Sequence, residues 1–141
     1  MKSRFLLLFT LLLTVLASST TADVPDLSNR LPGKYKLTYR GTLLSLEATK
    51  RYHPDGRYES IGSAKVLGIE KKLVHRGTWK LKNGELIYLL TESSTPSQAP
   101  VGVPLRFKVV GHDGVTMHYR DEARDKNYSE LRTGNAKDRR K

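Results

Sequence analysis

The chain has 141 residues, with 25 Lys and Arg against 14 Asp and Glu, a formal net charge of +11, and no cysteine. This length suits one domain, and the lack of cysteine excludes a disulfide framework, a zinc–thiolate site, a thiol nucleophile and an acylated lipoprotein N-terminus. The basic balance favours anionic neighbours such as phosphate-rich lipids, acidic polysaccharide, nucleic acid or an acidic protein, although it also serves solubility alone.

Residues 1–22 have the three parts of a secretory signal peptide. Lys2 and Arg4 are basic, residues 5–17 form an unbroken apolar run, and mostly small residues follow up to Ala22. The apolar run is shorter than the roughly 20 residues that span a bilayer. We therefore expect cleavage after Ala22, with Ala17 as the alternative, and a chain exported to the periplasm or secreted.

Alternation of apolar and polar residues predicts a single all-β domain over residues 23–132. The clearest strand is residues 34–40, in which Tyr35 and Tyr39 share one face. The other strand segments are residues 44–52, 57–61, 73–82, 85–90, 105–109 and 115–120. Asn83–Gly84 is the strongest turn signal, because both residues tolerate positive φ. We expect seven or eight strands in an antiparallel up-and-down sheet or small barrel.

The connections and the C-terminal segment are less regular. Residues 93–104 contain three prolines among small polar residues, which predicts a loop. Residues 121–126 are charged and weakly patterned, and residues 127–132 fit either a last strand or a helical turn. Residues 133–141 hold almost no apolar side chain, so we expect a disordered basic tail there. Its basic residues are Lys137, Arg139, Arg140 and Lys141.

Two segments resemble the small lipocalin-like domains of exported bacterial proteins. Arg51–Tyr58 contains a Y-x-x-DG-x-Y hairpin, and Gly77–Ile87 contains a G-x-W strand followed by a second glycine turn. The resemblance covers roughly residues 31–119. It implies a lipocalin-like fold, and because many members of these families have no assigned activity, it implies little about chemistry.

Inward-facing aromatic residues are the candidates for an interior binding site. Tyrosine supplies apolar area and a hydrogen-bonding tip, as a small-molecule pocket needs, although it also suits strands in general. Trp79 is interpreted as a core anchor in preference to a stacking platform. His75 shares its face and is expected to be a satisfied core or barrel-mouth residue. The candidate ligand-binding residues are Tyr35, Tyr39, Tyr58, His75, Trp79, Tyr88 and Tyr119.

Catalytic and metal-binding patterns are absent from the sequence. It has no G-x-S-x-G motif and no phosphate-binding glycine loop, and its four histidines lack the spacing of metal ligands. The carboxylates show no obvious buried pair, except that Glu47 and Glu59 could face each other across the first hairpin. We therefore expect no enzyme activity, no cofactor and no metal.

Three hypotheses follow from these patterns. The leading one is an exported lipocalin-like β-domain that binds a small apolar or amphipathic molecule in its interior, with the loop 93–104 at the mouth. The alternative is a basic interaction or inhibitor protein whose basic face or tail meets an anionic surface or an acidic protein partner. The third is an enzyme with an unrecognised interior site. Nucleic acid is not expected, because the aromatic side chains alternate to the face opposite the basic ones, and no stable membrane span should remain after cleavage.

Overall fold

The computed structural model describes residues 27–135, most of which form one antiparallel β-barrel. Its elements are α1 (Leu27–Arg30), β1 (Gly33–Arg40), β2 (Leu44–Tyr52), β3 (Arg57–Val66), β4 (Ile69–Lys82), β5 (Glu85–Ser93), β6 (Pro104–His112), β7 (Thr116–Asp121) and β8 (Lys126–Gly134). Each strand pairs with the next, and β8 pairs with β1, so the barrel is closed. The predicted all-β fold is confirmed; of the seven or eight strands expected the chain has eight, and of the two architectures expected it adopts the barrel. The predicted signal peptide, 1–22, lies outside the described residues.

Two hairpins turn through two residues with positive φ. In the β4–β5 hairpin, Asn83 and Gly84 have φ of 53° and 74°, as predicted. In the β3–β4 hairpin, Leu67 and Gly68 have φ of 50° and 84°. The irregularity expected around Gly68 is therefore a tight turn, and β3 and β4 are longer than the sequence pattern indicates.

The segment that the sequence left open is the strand that closes the barrel. β8 pairs with β7 on one side and with β1 on the other. The alternation of apolar and polar residues is weak in β8, because Tyr128, Glu130 and Arg132 share one face and two of these three are charged. Thr133 and Gly134, placed in the tail by the sequence pattern, belong to this strand, and residues 136–141 lie outside the described part of the chain.

One end of the barrel is sealed by the segment that precedes β1. Leu31 is fully buried there, and the Tyr35 hydroxyl donates a hydrogen bond of 2.9 Å to the Leu31 carbonyl. Trp79 is also buried at this end, and its Nε1 donates to the His53 carbonyl at 2.9 Å. Trp79 is thus a core anchor, as the sequence analysis favours.

Close approach of two strands explains the glycine that precedes Trp79. A Cβ atom on Gly77 would lie 2.1 Å from the Leu89 carbonyl oxygen, far inside van der Waals contact. The pairing of β4 with β5 shifts register between Arg76 and Gly77, so this glycine permits a bulge. The residues of β4 that follow Gly77 lead to the sealed end, and those that precede it lead to the opposite end of the barrel.

That opposite end is open. The turns β1–β2, β3–β4 and β7–β8 and the loop 94–103 surround it. The loop is tied to the strands by backbone hydrogen bonds from Ser94 to Val74 at 2.9 Å and from Gly102 to Leu90 at 3.0 Å. Within residues 27–135 no helix is long and apolar enough to cross a membrane.

Candidate functional site

A cavity of about 580 Å³ occupies the barrel interior between the core and the open end. This volume is within the range of small-molecule sites. Most of its wall is apolar, and the principal apolar side chains are Leu37, Leu46, Ala48, Ala64, Leu73, Leu90, Leu105 and Phe107. A molecule that fills this space would replace water against mainly aliphatic and aromatic surface.

Five buried polar side chains form a hydrogen-bonded network beneath this cavity, and we call it the floor cluster. Its members are Lys50, Tyr52, Tyr88, Tyr119 and Glu130. The Lys50 ammonium contacts Glu130 Oε1 and donates to the Tyr119 hydroxyl at 2.8 Å. Tyr119 donates to Glu130 Oε1 at 2.5 Å, and Tyr52 donates to Glu130 Oε2 at 3.0 Å. The hydroxyls of Tyr52 and Tyr88 are 2.6 Å apart.

Strand register brings the two charges of the floor cluster together. β2 and β8 both pair with β1, where Tyr35 lies opposite Lys50 and Leu37 lies opposite Glu130. Both charged side chains therefore point inward from the strands that flank β1. Glu130 is fully buried and Lys50 is 8% exposed, so the ion pair is removed from bulk water.

Electrostatics in the floor cluster favour a charged lysine and neutral phenols. Burial lowers the pKa of Lys50, but the charge and hydrogen bond of Glu130, together with Tyr58 and Tyr128, raise it further than burial lowers it, so the net shift is upward. Burial, followed by the charge of Glu130, raises the pKa of Tyr52, Tyr88 and Tyr119 well above the usual value for tyrosine. The three hydroxyls thus stay protonated and act as donors.

Lys50 offers the cavity a hydrogen-bond donor. An ammonium group has three N–H donors, and within residues 27–135 the hydrogen-bond acceptors of the Lys50 ammonium are Glu130 and Tyr119. Lys50 itself lines the cavity, as do Tyr58 and Ser60 on the neighbouring strand, and Ser60 is its direct cross-strand partner. At the floor of the cavity, the polar part of the wall thus surrounds the Lys50 ammonium.

The open end has its own polar contacts. His75 Nε2 lies 2.9 Å from Thr95 Oγ1, and Arg124 donates to the Gln98 carbonyl at 2.7 Å. Burial lowers the pKa of His75, and the charge of Lys50 lowers it further. Thr95, Gln98 and Ala99 line the cavity, which places the loop 94–103 at its mouth.

The sequence-predicted ligand-binding residues separate into two groups. Tyr58, His75, Tyr88 and Tyr119 line the cavity. Tyr35 and Trp79 pack at the sealed end and do not line it, and Tyr39 lies against Tyr128 near the open end, with ring centroids 6.4 Å apart. Strand phase thus identified which aromatic side chains point into the barrel. It did not show where along the barrel axis each of them lies, and that position decides whether it lines the cavity.

Lys50 and Glu130, the charged pair of the floor cluster, were not among the residues predicted from the sequence. Lys50 interrupts an otherwise inward, largely apolar phase of β2, and that interruption was the available signal. The carboxylates considered from the sequence, Glu47 and Glu59, do not face each other. Glu47 pairs with Lys36 at 2.7 Å, and Glu59 lies near Arg51 and Arg76.

No group of three or more His, Cys, Asp or Glu side chains within residues 27–135 is arranged to hold a metal ion. The predicted surface-binding residues Lys137, Arg139, Arg140 and Lys141 lie outside the described residues. Binding of an acidic protein through the tail therefore stays a prediction.

The sequence matches no known protein-family profile, and no curated protein is significantly similar to it.

Proposed function

We propose that this protein is an exported, non-enzymatic β-barrel that binds a small amphipathic molecule in its interior. The observation that carries the proposal is a largely apolar cavity of about 580 Å³ with the Lys50 ammonium at its floor. An apolar body would fill the space between the aliphatic walls. A carbonyl, hydroxyl or carboxylate oxygen would accept a hydrogen bond from Lys50.

Binding accounts for the floor cluster better than catalysis does. A general acid or base must exchange a proton with its substrate. The Glu130 carboxylate is fully buried and already accepts hydrogen bonds from Lys50, Tyr52 and Tyr119. Its chemistry is directed to holding these donors in place. The cluster therefore positions Lys50 and the phenols rather than supplying a reactive group.

Fluorescence titration with a dansylated fatty acid and with anilinonaphthalene sulfonate tests the proposal. We expect saturable binding of at least one probe. Ala48 is buried and lines the cavity, so Ala48→Phe should fill part of it and abolish binding. Thr38→Phe adds a large side chain on the exposed outer face of β1 and is the matched control, which should bind normally. Circular dichroism checks that both variants keep the fold.

The role of Lys50 needs a variant that leaves no uncompensated buried charge. Lys50→Met combined with Glu130→Gln removes both charges and preserves side-chain size. Because a hydrogen bond to a charged group contributes about 1.5–3 kcal/mol, we expect affinity to fall roughly tenfold or more. Probe binding that is unchanged in Ala48→Phe would contradict the interior site, and binding unchanged only in the double variant would remove Lys50 from it.

A further inference from the structure

Four large apolar side chains are exposed together at the open end of the barrel, and we call them the mouth rim. They are Leu43, Val66, Leu67 and Ile69, with exposed fractions of 64%, 40%, 71% and 63%. The Leu67 amide donates to the Leu43 carbonyl at 3.0 Å, so the β1–β2 and β3–β4 turns that carry them are adjacent. The mouth rim is therefore one continuous apolar patch.

Turn chemistry does not explain the leucine at the tip. Leu67 and Asn83 occupy equivalent positions in two-residue turns and have nearly equal positive φ. Asparagine suits that conformation, whereas for other L-residues the left-handed region costs roughly 1–2 kcal/mol. Leu67 is also the most exposed large apolar residue in the described chain, so it gains little from packing. Its side chain is better explained by contact with something outside the barrel.

The β3–β4 hairpin reaches beyond its neighbour on one side. The first pair between β4 and β5 is His75 with Ser93, and Val74 is hydrogen-bonded to Ser94, so residues 69–73 of β4 pair only with β3. The tip of the hairpin is thus free on the β5 side and accessible to a large surface.

Lysines surround the mouth rim. Lys65, Lys71 and Lys72 are all exposed near the tip of this hairpin, and the one acidic residue between positions 65 and 72 is Glu70. Within residues 27–135 none of the three lysines forms an ion pair with a carboxylate. An apolar tip beside unpaired cations complements a bilayer that has anionic headgroups above an acyl interior.

The mouth rim is also the entrance to the cavity. Leu43, Val66 and Lys71 line the cavity as well as the outer surface. Whatever covers the mouth rim therefore covers the route into the barrel.

We propose that the mouth rim docks on anionic phospholipid membranes, with Leu43, Leu67 and Ile69 entering the interface and the flanking lysines contacting headgroup phosphates. Docking in this orientation points the cavity mouth at the bilayer, so a ligand can pass between membrane and barrel without crossing water. Docking itself is independent of any interior ligand. Only the passage of a ligand rests on the proposed function.

Co-sedimentation with vesicles tests the docking. We expect the chain without residues 1–22 to bind vesicles of phosphatidylcholine mixed with phosphatidylglycerol, to bind pure phosphatidylcholine weakly, and to dissociate as salt is added. Leu67→Asn copies the turn at Asn83. It should weaken vesicle binding roughly tenfold or more while leaving the melting temperature unchanged or raised.

Charge-reversal variants test the lysines beside the mouth rim, and matched variants at the sealed end are the controls. Lys65→Glu with Lys72→Glu, beside the mouth rim, should abolish vesicle binding. Lys80→Glu with Lys82→Glu makes the same charge change at the sealed end, near the Asn83–Gly84 turn, and should leave most of the vesicle binding. Val115→Asn replaces an exposed apolar residue in the β6–β7 turn and should have no effect.

Four results would overturn the proposal. These are an absence of vesicle binding at low salt, normal binding by Leu67→Asn, equal losses from the two charge-reversal pairs, and loss of binding on deletion of residues 136–141 with the mouth rim intact. A dimer in sedimentation equilibrium that Leu67→Asn dissociates, without vesicle binding, would assign the mouth rim to self-association. Dye titration of Leu67→Asn separates the hypotheses, because normal probe uptake without vesicle binding leaves the interior function standing.

Discussion

Lys50 and Glu130 form a buried ion pair inside a barrel that is lined mainly by aromatic and aliphatic side chains. The desolvation cost of such a pair is high, and it is offset here by mutual attraction and by phenol donors on both carboxylate oxygens. The pair is thus poor evidence for extra stability. Its physical consequence is orientation, because it holds an ammonium group at the floor of an apolar cavity.

A double-mutant cycle measures how the two residues depend on each other. We expect Lys50→Met alone to lower the free energy of unfolding by about 3–5 kcal/mol, because it leaves the Glu130 carboxylate buried without its cation. Lys50→Met with Glu130→Gln should recover most of that loss, since no charge then remains buried. Urea denaturation of the four proteins provides the free energies. Additive single effects would show that the residues act independently.

At the scale of elements, the hairpins show how similar backbones carry different sequences. Asn83–Gly84 follows the local preference of its turn, and Leu67–Gly68 departs from it at the exposed tip. The bulge at Gly77 is a third case, in which the constraint comes from the neighbouring strand rather than from the turn. Each residue type thus has a different physical cause. Asn83 suits the positive φ of its turn, Leu67 is explained by contact with an external surface, and Gly77 is required by the close backbone of β5.

Gly77→Ala tests the close contact. We expect a loss of about 1–3 kcal/mol or more in stability, because the new Cβ must displace the β5 backbone at Leu89. Gly111→Ala is the matched control. It also lies at a register shift, but its nearest neighbour to a new Cβ is His118 at 3.9 Å, so thermal unfolding should show no loss. Equal destabilisation of the two variants would contradict the explanation.

At the scale of the whole molecule, closure produces two unlike ends. The sealed end is packed by Leu31, Tyr35 and Trp79, and the open end is surrounded by the turns and by the loop 94–103. His112, which lies 3.2 Å from the Tyr35 hydroxyl, belongs to the sealed end, and His75 belongs to the open end. The barrel therefore places one histidine of lowered pKa near each end.

These histidines predict that the barrel loses stability in mild acid. Burial lowers the pKa of both His75 and His112 below 6.5, so as the pH falls the unfolded chain binds protons before the folded chain does. Stability should be fully present above about pH 6.5 and should decline as the pH falls from there through the two folded pKa values. Melting temperatures measured between about pH 8 and pH 5 should show this decline.

Replacing both residues with glutamine, which keeps hydrogen-bonding groups at the two positions, should flatten the pH dependence in this range. A double variant with the slope of the parent would assign the acid sensitivity to other groups.

Strand phase in the sequence determined the all-β class, most strand positions, the Asn83–Gly84 turn and the inward tyrosines, because period-two alternation is local and is not altered by the neighbouring strand. Only the tertiary structure decided three other features. These are the closure of the barrel, the pairing of Lys50 with Glu130, and the division of the tyrosines between the sealed end and the cavity. Those features depend on register between strands far apart in sequence. Local alternation shows which way Lys50 and Glu130 point, but only the shared neighbour β1 brings them into contact.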